Sequence, residues 1–464
     1  MDIRRVLAAA LCAAVASSAL QGLAAQERPP RDSTRKADKP MSMDMGDMDM
    51  PSGPLGISMD RMGSGTSWIP DAVPLPARHM MAGGWDVMFQ GIAFGQFDTQ
   101  SGPRGATQFG SLNWGMLMAG HELAGGRFQA RTMLSLDVLG VTGRGYPLLL
   151  QTGESYRGDP LRDRQHPHDF FMELGALYER SLSKWAGFSL YAAASGEPAL
   201  GPVAFPMRPS AMDNPIAPLG HHWQDVTHIS FGVLTTGLFT HTWKIEGSVF
   251  NGREPDDRRW DLDPIRFDSY SGRVTYNPNA HWSIAAGYGY LKSPDALHPD
   301  ESLHRLTASV LHGGRLGTDG MWATTLLWGA NAVAGQSGLS HSVLVESNAA
   351  LDRYNTVFGR AEYVQKTAED LVLSAPQFGL AADRSFGVAS VSLGYVRELG
   401  QRLGVTFGVG ALGTVNFVPA ALQEPYGSRT PLGALLFVRL RVLRAHVDGA
   451  NHMDHMEGMN HDHP

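Results

Sequence analysis

From residue 81 to residue 445 the chain keeps a two-residue beat. In "GRFQARTMLSLDVLG" Phe128, Ala130, Thr132, Leu134, Leu136 and Val138 share one face, and Gln129, Arg131, Ser135 and Asp137 share the other. "HTWKIEGSVFNG" sets Trp243, Ile245 and Val249 against Lys244, Glu246 and Ser248. "YNTVFGRAEYVQK" sets Val357, Ala361 and Tyr363 against Arg360 and Glu362, and "GALLFVRLRVLRAH" sets Leu436, Val438, Leu440 and Val442 against Arg439 and Arg441. Successive side chains of an extended strand point to opposite sides, so this alternation predicts strands with one apolar and one wet face.

Segments of this kind begin near residues 85, 109, 126, 170, 186, 226, 241, 268, 280, 303, 320, 340, 354, 386, 403 and 433. Several run to about 10 residues, the length a tilted strand needs to cross a bilayer. The turn-forming stretches "AGGR", "NPNA", "GTDG" and "RELGQR" separate them. Trp and Tyr stand near the ends of the apolar faces, as an interfacial aromatic girdle requires. The fold expected is all-β: an antiparallel transmembrane β-barrel of about 14 to 16 strands. A soluble periplasmic β protein, propeller or sandwich, is the alternative; it would have shorter strands, buried faces richer in Ile, Val and Leu, and for a propeller a clean repeat period.

The flanks break the beat. Residues 1–25 read as a signal peptide: Arg4 and Arg5, an apolar run from Val6 to Leu20, then small residues at Ala24 and Ala25. The single cysteine, Cys12, lies inside it, so neither a disulfide nor a thiolate metal site is expected in the exported chain. Residues 26–80, rich in Met, Asp and Pro, are expected to lack fixed structure, as is the tail 446–464. A formal charge of −7 over 464 residues gives no reason to expect nucleic acid as a partner.

Between the flanks, "RGYPLLLQTGESYRGDPLRDRQHPHDFFMELG" and "PMRPSAMDNPIAPLGHHWQDVTHISFG" stand out. With them, residues 81–445 resemble an uncharacterised family of Gram-negative outer-membrane β-barrels that accompany copper and heavy-metal resistance. The resemblance implies an outer-membrane location, outer-membrane lipids as surroundings, and metal ions or periplasmic metal-efflux components as partners. The chain departs from the common barrel pattern in one respect: its last strand ends near Leu443 and a polar tail follows.

The tails themselves carry ligand chemistry. Met41, Met43, Met45, Met48 and Met50 alternate with Asp44, Asp47 and Asp49, and Met59 and Met62 follow. The other end holds His452, Met453, His455, Met456, Met459, His461 and His463. Thioethers suit Cu(I), and imidazoles suit Cu(II), Zn and Ni, so copper leads as the ion bound, although the fold needs no cofactor. An even strand count puts both tails on one side, by the usual orientation the periplasm. A second candidate lies in the long connections: His166 and His168 flank Pro167 beside Asp169, while His221, His222 and His228 cluster around Gln224 and Asp225. If the two connections meet, their imidazoles and carboxylates form a transition-metal site; otherwise they fix a plug by hydrogen bonding. Facing a wet lumen, Arg131, Glu173, Glu246, Arg360, Glu362, Arg439 and Arg441 are expected to form a solvated, mutually paired lining. No Gly-x-Ser-x-Gly or His-Glu-x-x-His pattern points to an enzyme. The function expected is binding or passage of copper or a related metal, with a general diffusion porin as the alternative.

Overall fold

The computed structural model describes residues 53–152, 155–335, 338–374 and 378–442. The signal segment, the methionines at 41–50 and the tail from 446 onward lie outside those residues. Sixteen strands form the wall. They are β1 (Trp85–Gln100), β2 (Thr107–Leu123), β3 (Gly126–Leu134), β4 (Phe171–Ser181), β5 (Gly187–Gly196), β6 (Ser230–Phe239), β7 (Trp243–Phe250) and β8 (Ser269–Tyr276). The second half comprises β9 (Trp282–Lys292), β10 (Ser302–Leu316), β11 (Gly320–Val333), β12 (Ser340–Ala350), β13 (Asn355–Thr367), β14 (Ser385–Arg402), β15 (Val405–Phe417) and β16 (Leu432–Val442).

Each strand pairs antiparallel with the next, and β16 returns to β1 in a ladder from Ile92↔Arg441 to Gln100↔Gly433. No edge is left in the ring, as a sheet in hydrocarbon requires. A short strand, Arg78–Ala82, pairs with the start of β1 beyond the reach of β16.

The alternation reads directly as wall orientation. Trp243, Ile245 and Leu436 are 47%, 60% and 62% exposed on the outside, while Lys244 and Arg439 between and beside them are 0% exposed. Stacked aromatic pairs mark both rims: Trp243 on Tyr276 and Trp282 on His312 near the short turns, Tyr270 on Tyr290 near the long connections. The chain is therefore an outer-membrane-type β-barrel, its apolar side chains facing lipid.

Turns alternate short and long. Residues 124–125, 240–242, 317–319 and 403–404 make tight reversals at one end; residues 135–170, 197–229 and 251–268 span the other. Both ends of the barrel wall, Trp85 and Val442, stand at the short-turn end, because the strand count is even.

The lumen is filled from both ends. Residues 53–77 enter at the short turns, where Arg61 donates to the His241 carbonyl (2.6 Å) and the Ala72 amide donates to that of Ala280 (2.8 Å). The wall then satisfies the segment's carbonyls: Arg131 to Gly65 (2.6 Å), Lys244 to Thr66 (2.8 Å), Ser283 to Trp68 (2.9 Å) and Asn277 to Ile69 (3.0 Å). Residues 197–229 descend from the long-connection end. Arg360 reaches the Ile216 carbonyl (3.0 Å), Arg305 and Asn331 both reach that of His222 (2.5 and 2.9 Å), and the Leu219 amide donates to Glu362 (2.6 Å).

Two expectations change here. The segment 26–80 was expected to lack fixed structure throughout, yet from residue 53 it is packed inside the barrel, with Met59, Met62 and Trp68 buried against Leu177, Tyr191 and Phe239. It has no period of its own because wall side chains, not a ladder, satisfy its backbone. The lumen charges were expected to form a solvated, mutually paired lining. They are paired, Arg131 with Glu173 at 3.0 Å and Arg360 with Glu346 at 2.8 Å, but most are buried against the plug rather than open to solvent. A smaller difference concerns Leu136 and Val138: β3 stops at Leu134, and Asp137–Val141 turns helical as Asp137 is drawn inward.

Close approach between wall and plug has a visible requirement. A Cβ on Gly329 of β11 would fall 2.2 Å from the Trp223 carbonyl oxygen. Only glycine lets this backbone come so near.

Candidate metal centre

The two histidine-bearing connections meet inside the lumen. The ring centroids of His168 and His228 are 5.4 Å apart, those of His221 and His228 5.2 Å, and those of His221 and His222 5.4 Å. Phe205 stacks on His168 at 5.8 Å and meets His221 and His228 edge-on. His166 lies close enough that His221 and His222, after burial and Arg259, help push its pKa well down.

Four of these rings are oriented by the same device. Nδ1 of His166 is 2.6 Å from the Pro167 carbonyl, Nδ1 of His168 is 2.8 Å from Asp137 Oδ2, Nδ1 of His221 is 2.8 Å from Asp225 Oδ1, and Nδ1 of His228 is 2.8 Å from the Asp225 carbonyl. An oxygen acceptor at Nδ1 fixes the proton there, so in the neutral ring Nε2 keeps its lone pair. Metal-binding imidazoles are held in this way. Burial keeps His221 and His228 neutral, His228 being pushed down to about 3 by burial and by His221 and His168.

The anchors are themselves held. Asp137 Oδ1 accepts the Asn113 amide at 2.6 Å, which ties the 135–170 connection to β2. Asp225 Oδ2 accepts from the Phe205 amide (3.0 Å) and from Arg208 (3.2 Å). Burial alone would raise the Asp225 pKa, but His221 and Arg208 hold it below the ordinary carboxylate range. Arg208, fully buried, also donates to Glu346 of β12 (2.5 Å) and to the Val203 carbonyl (2.9 Å).

The carboxylates divide. Asp225 joins the imidazoles, whereas Asp169 pairs with Arg259 at 2.9 Å. His222 Nε2 faces Glu254 at 3.6 Å. Two imidazoles bound tetrahedrally to one ion through Nε2, at about 2.1 Å, place their ring centroids roughly 5.3 Å apart. The observed spacings match, but the nitrogens of no three of these rings come within 4.8 Å of one another. Among the described residues only Asp256, Asp261 and Asp263, in the 251–268 connection, meet that criterion. As placed, the imidazole cluster does not present three ligand atoms to one ion.

A cavity of about 40 Å³ opens beside the cluster, lined by His166, His168, Phe205, Asn113, Trp114 and Tyr146 among others. That is room for a few waters. The structure also brings together residues that the sequence reading passed over. Met88, Met116, Met118, Met133, Met172, Met207 and Met212 form one buried cluster inside the barrel. The signal was present: Met133 shares the inward parity of Gln129 and Arg131, where a wet residue is expected.

No family model matches the chain, and no curated protein matches it. Among solved structures it is similar to the anion-selective porin from Comamonas acidovorans, at 12% identity and TM-score 0.48, over 77% of this chain and 99% of that one. It is also similar to Salmonella typhi OmpF in complex with daunomycin, at 8% identity and TM-score 0.47, over 78% of this chain and 100% of that one. A loop-deletion mutant of Vibrio cholerae OmpT, an outer membrane protein, aligns at 10% identity and TM-score 0.46, over 77% of this chain and 99% of that one.

Proposed function

We propose that this outer-membrane barrel handles copper or a related transition metal, holding the ion at its lumenal plug rather than letting solutes diffuse freely. The observation that carries this reading is the meeting of five imidazoles from two connections inside a filled lumen, four of them with Nδ1 tied to oxygen. Neutral imidazole suits Cu(II), Zn(II) and Ni(II), and the buried Asp225 supplies negative charge. The Met- and His-bearing ends, 41–50 and 446–464, belong to the same reading as capture segments. The short-turn end faces the periplasm in barrels of this kind, which would put both capture segments where efflux components could meet them.

The test is Cu(II) and Zn(II) titration of the detergent-purified full chain beside its His168→Asn and His221→Asn variants. Loss of one binding event in each variant, with the barrel still heat-modifiable on a gel, is the expected result. Unchanged stoichiometry and affinity in both would remove the cluster from the reading. A large, steady conductance in planar bilayers, insensitive to copper, would favour a general diffusion porin instead.

A further inference from the structure

The two plugging segments meet around Ser64 and Ala204, and a second cavity lies there. Ser64 and Gly65 come from the segment that enters at the short turns, and Ala204, Pro206, Met207 and His228 from the one that descends. The Ser64 hydroxyl accepts the Ala204 amide at 2.8 Å, which fixes the junction. The wall contributes Met133 of β3 and Met172 and Glu173 of β4, at the bulge where the β3–β4 register shifts. The volume is about 20 Å³, enough for one water or one unhydrated ion and no more.

The lining is chemically unusual for the inside of an outer-membrane barrel. Three methionines, Met133, Met172 and Met207, border one small space and are 5%, 2% and 2% exposed. Into the same space comes His228, whose Nε2 is inaccessible to solvent and has no hydrogen-bond partner. Its Nδ1 is occupied by the Asp225 carbonyl, so Nε2 is a lone pair with nothing to receive it. Glu197, 3% exposed, adds a carboxylate whose nearest charged partner, Arg273, is 3.6 Å away.

We propose that Met133, Met172, Met207 and His228 form a binding site for a soft monovalent cation, Cu(I) or its analogue Ag(I), at the junction of the two plugs. Thioether sulfur is soft, uncharged and never protonated, so a pocket built from it selects Cu(I) over Zn(II) or Mg(II). The imidazole lone pair supplies a stronger fourth donor. A hydrated cation does not fit, so entry requires exchange of water for thioether. That exchange favours an ion with weakly held water. The site shares His228 with the imidazole cluster, and so rests on the metal-handling reading. It takes ions that arrive already as Cu(I) or Ag(I), so no electron transfer links the two sites.

Methionine is also the most adaptable filler of irregular space, and packing alone is the competing account. The experiment separates the two. Ag(I), and Cu(I) under anaerobic competition with a chromophoric chelator, are titrated into the purified full chain, its M133L/M172L/M207L variant and the H168N/H221N variant. Leucine conserves volume and apolarity, so the triple variant keeps its packing and loses only sulfur. The expected result is loss of one Ag(I) equivalent, or an affinity at least ten-fold weaker, in the methionine variant. X-ray absorption of the Cu(I)-loaded wild type should show a sulfur shell that shrinks in that variant. In the H168N/H221N variant the Ag(I) site persists while Cu(II) binding falls. Unchanged Ag(I) stoichiometry and affinity in a methionine variant of wild-type circular dichroism and heat-modifiability would overturn the proposal. If Cu(II) binding still falls in H168N/H221N, the metal-handling reading survives that failure.

Discussion

Arg208 is the place to test whether the plug is held by its buried charges. Its side chain is 0% exposed and joins three groups: Glu346 on the wall, Asp225 in the imidazole cluster, and the Val203 carbonyl of the plug itself. Arg208→Met keeps most of the volume and removes every donor. Breaking a buried pair by deleting one partner costs about 3–5 kcal/mol. The low end applies here, because neither carboxylate is abandoned. Glu346 keeps Arg360 at 2.8 Å, and Asp225 keeps His221 at 2.8 Å. A loss of about 3 kcal/mol corresponds to roughly a 150-fold rise in the unseated fraction of the plug. The plug retains Arg439 on Asp213 and Arg305 on the His222 carbonyl, so it stays seated most of the time and opens as brief events. Single-channel recording in planar bilayers reads this directly: open probability should rise roughly 150-fold over wild type. Arg258→Met, at a side chain 70% exposed on the 251–268 connection, serves as the control and should change nothing. A folded Arg208→Met barrel with wild-type open probability would refute the idea that buried ion pairs, rather than packing alone, keep the plug in place.

Leu326 stands mid-strand on the lipid face, 50% exposed, so Leu326→Arg should cost about 2–4 kcal/mol in urea-dependent loss of heat-modifiable mobility. Gly329→Ala, three residues on but facing inward, should leave the barrel intact and push Trp223 off its seat, seen as a shift in tryptophan emission. His298 ties two connections at the barrel mouth, its Nδ1 3.0 Å from Asp295 and its Nε2 3.4 Å from Glu369. Only the imidazolium donates from both nitrogens. Asp295, chiefly by its hydrogen bond, raises the pKa above the ordinary 6.5. A raised pKa means the tie is fully present below that value and is lost as pH rises through the folded one. Protection factors of residues 293–301, with the intrinsic base-catalysed rise divided out, should therefore fall above neutral pH in wild type and show no such step in His298→Gln.

How much was legible follows from what repeats. The sixteen strand starts read from the alternation fall within a few residues of those observed; the widest gap is at β6, read from 226 and beginning at Ser230. The reason is that each strand carries its own evidence. One face must suit lipid and the other must not, and a slip of one residue would invert every side chain. The imidazoles were legible as ligand-type residues, since histidine twice within three positions of a proline- or glycine-rich connection is conspicuous in the chain itself. The lumenal methionines were not singled out. Met116, Met118 and Met133 look like ordinary apolar strand residues until their inward parity is weighed against the wet face they occupy.

The sequence by itself determined most of the wall: a strand number of about 14 to 16, the face most side chains take, and the return of both ends to one rim, because these follow from a local two-residue period and an even count. Only the tertiary structure decided what fills the wall. Residues 53–77 and 197–229 have no period, and their backbone is satisfied by Arg131, Lys244, Arg305 and Arg360, which lie far away in the chain. Which carbonyl meets which guanidinium, and therefore which histidines and methionines come to share a space, is set by packing in three dimensions, and nothing local in the chain encodes it.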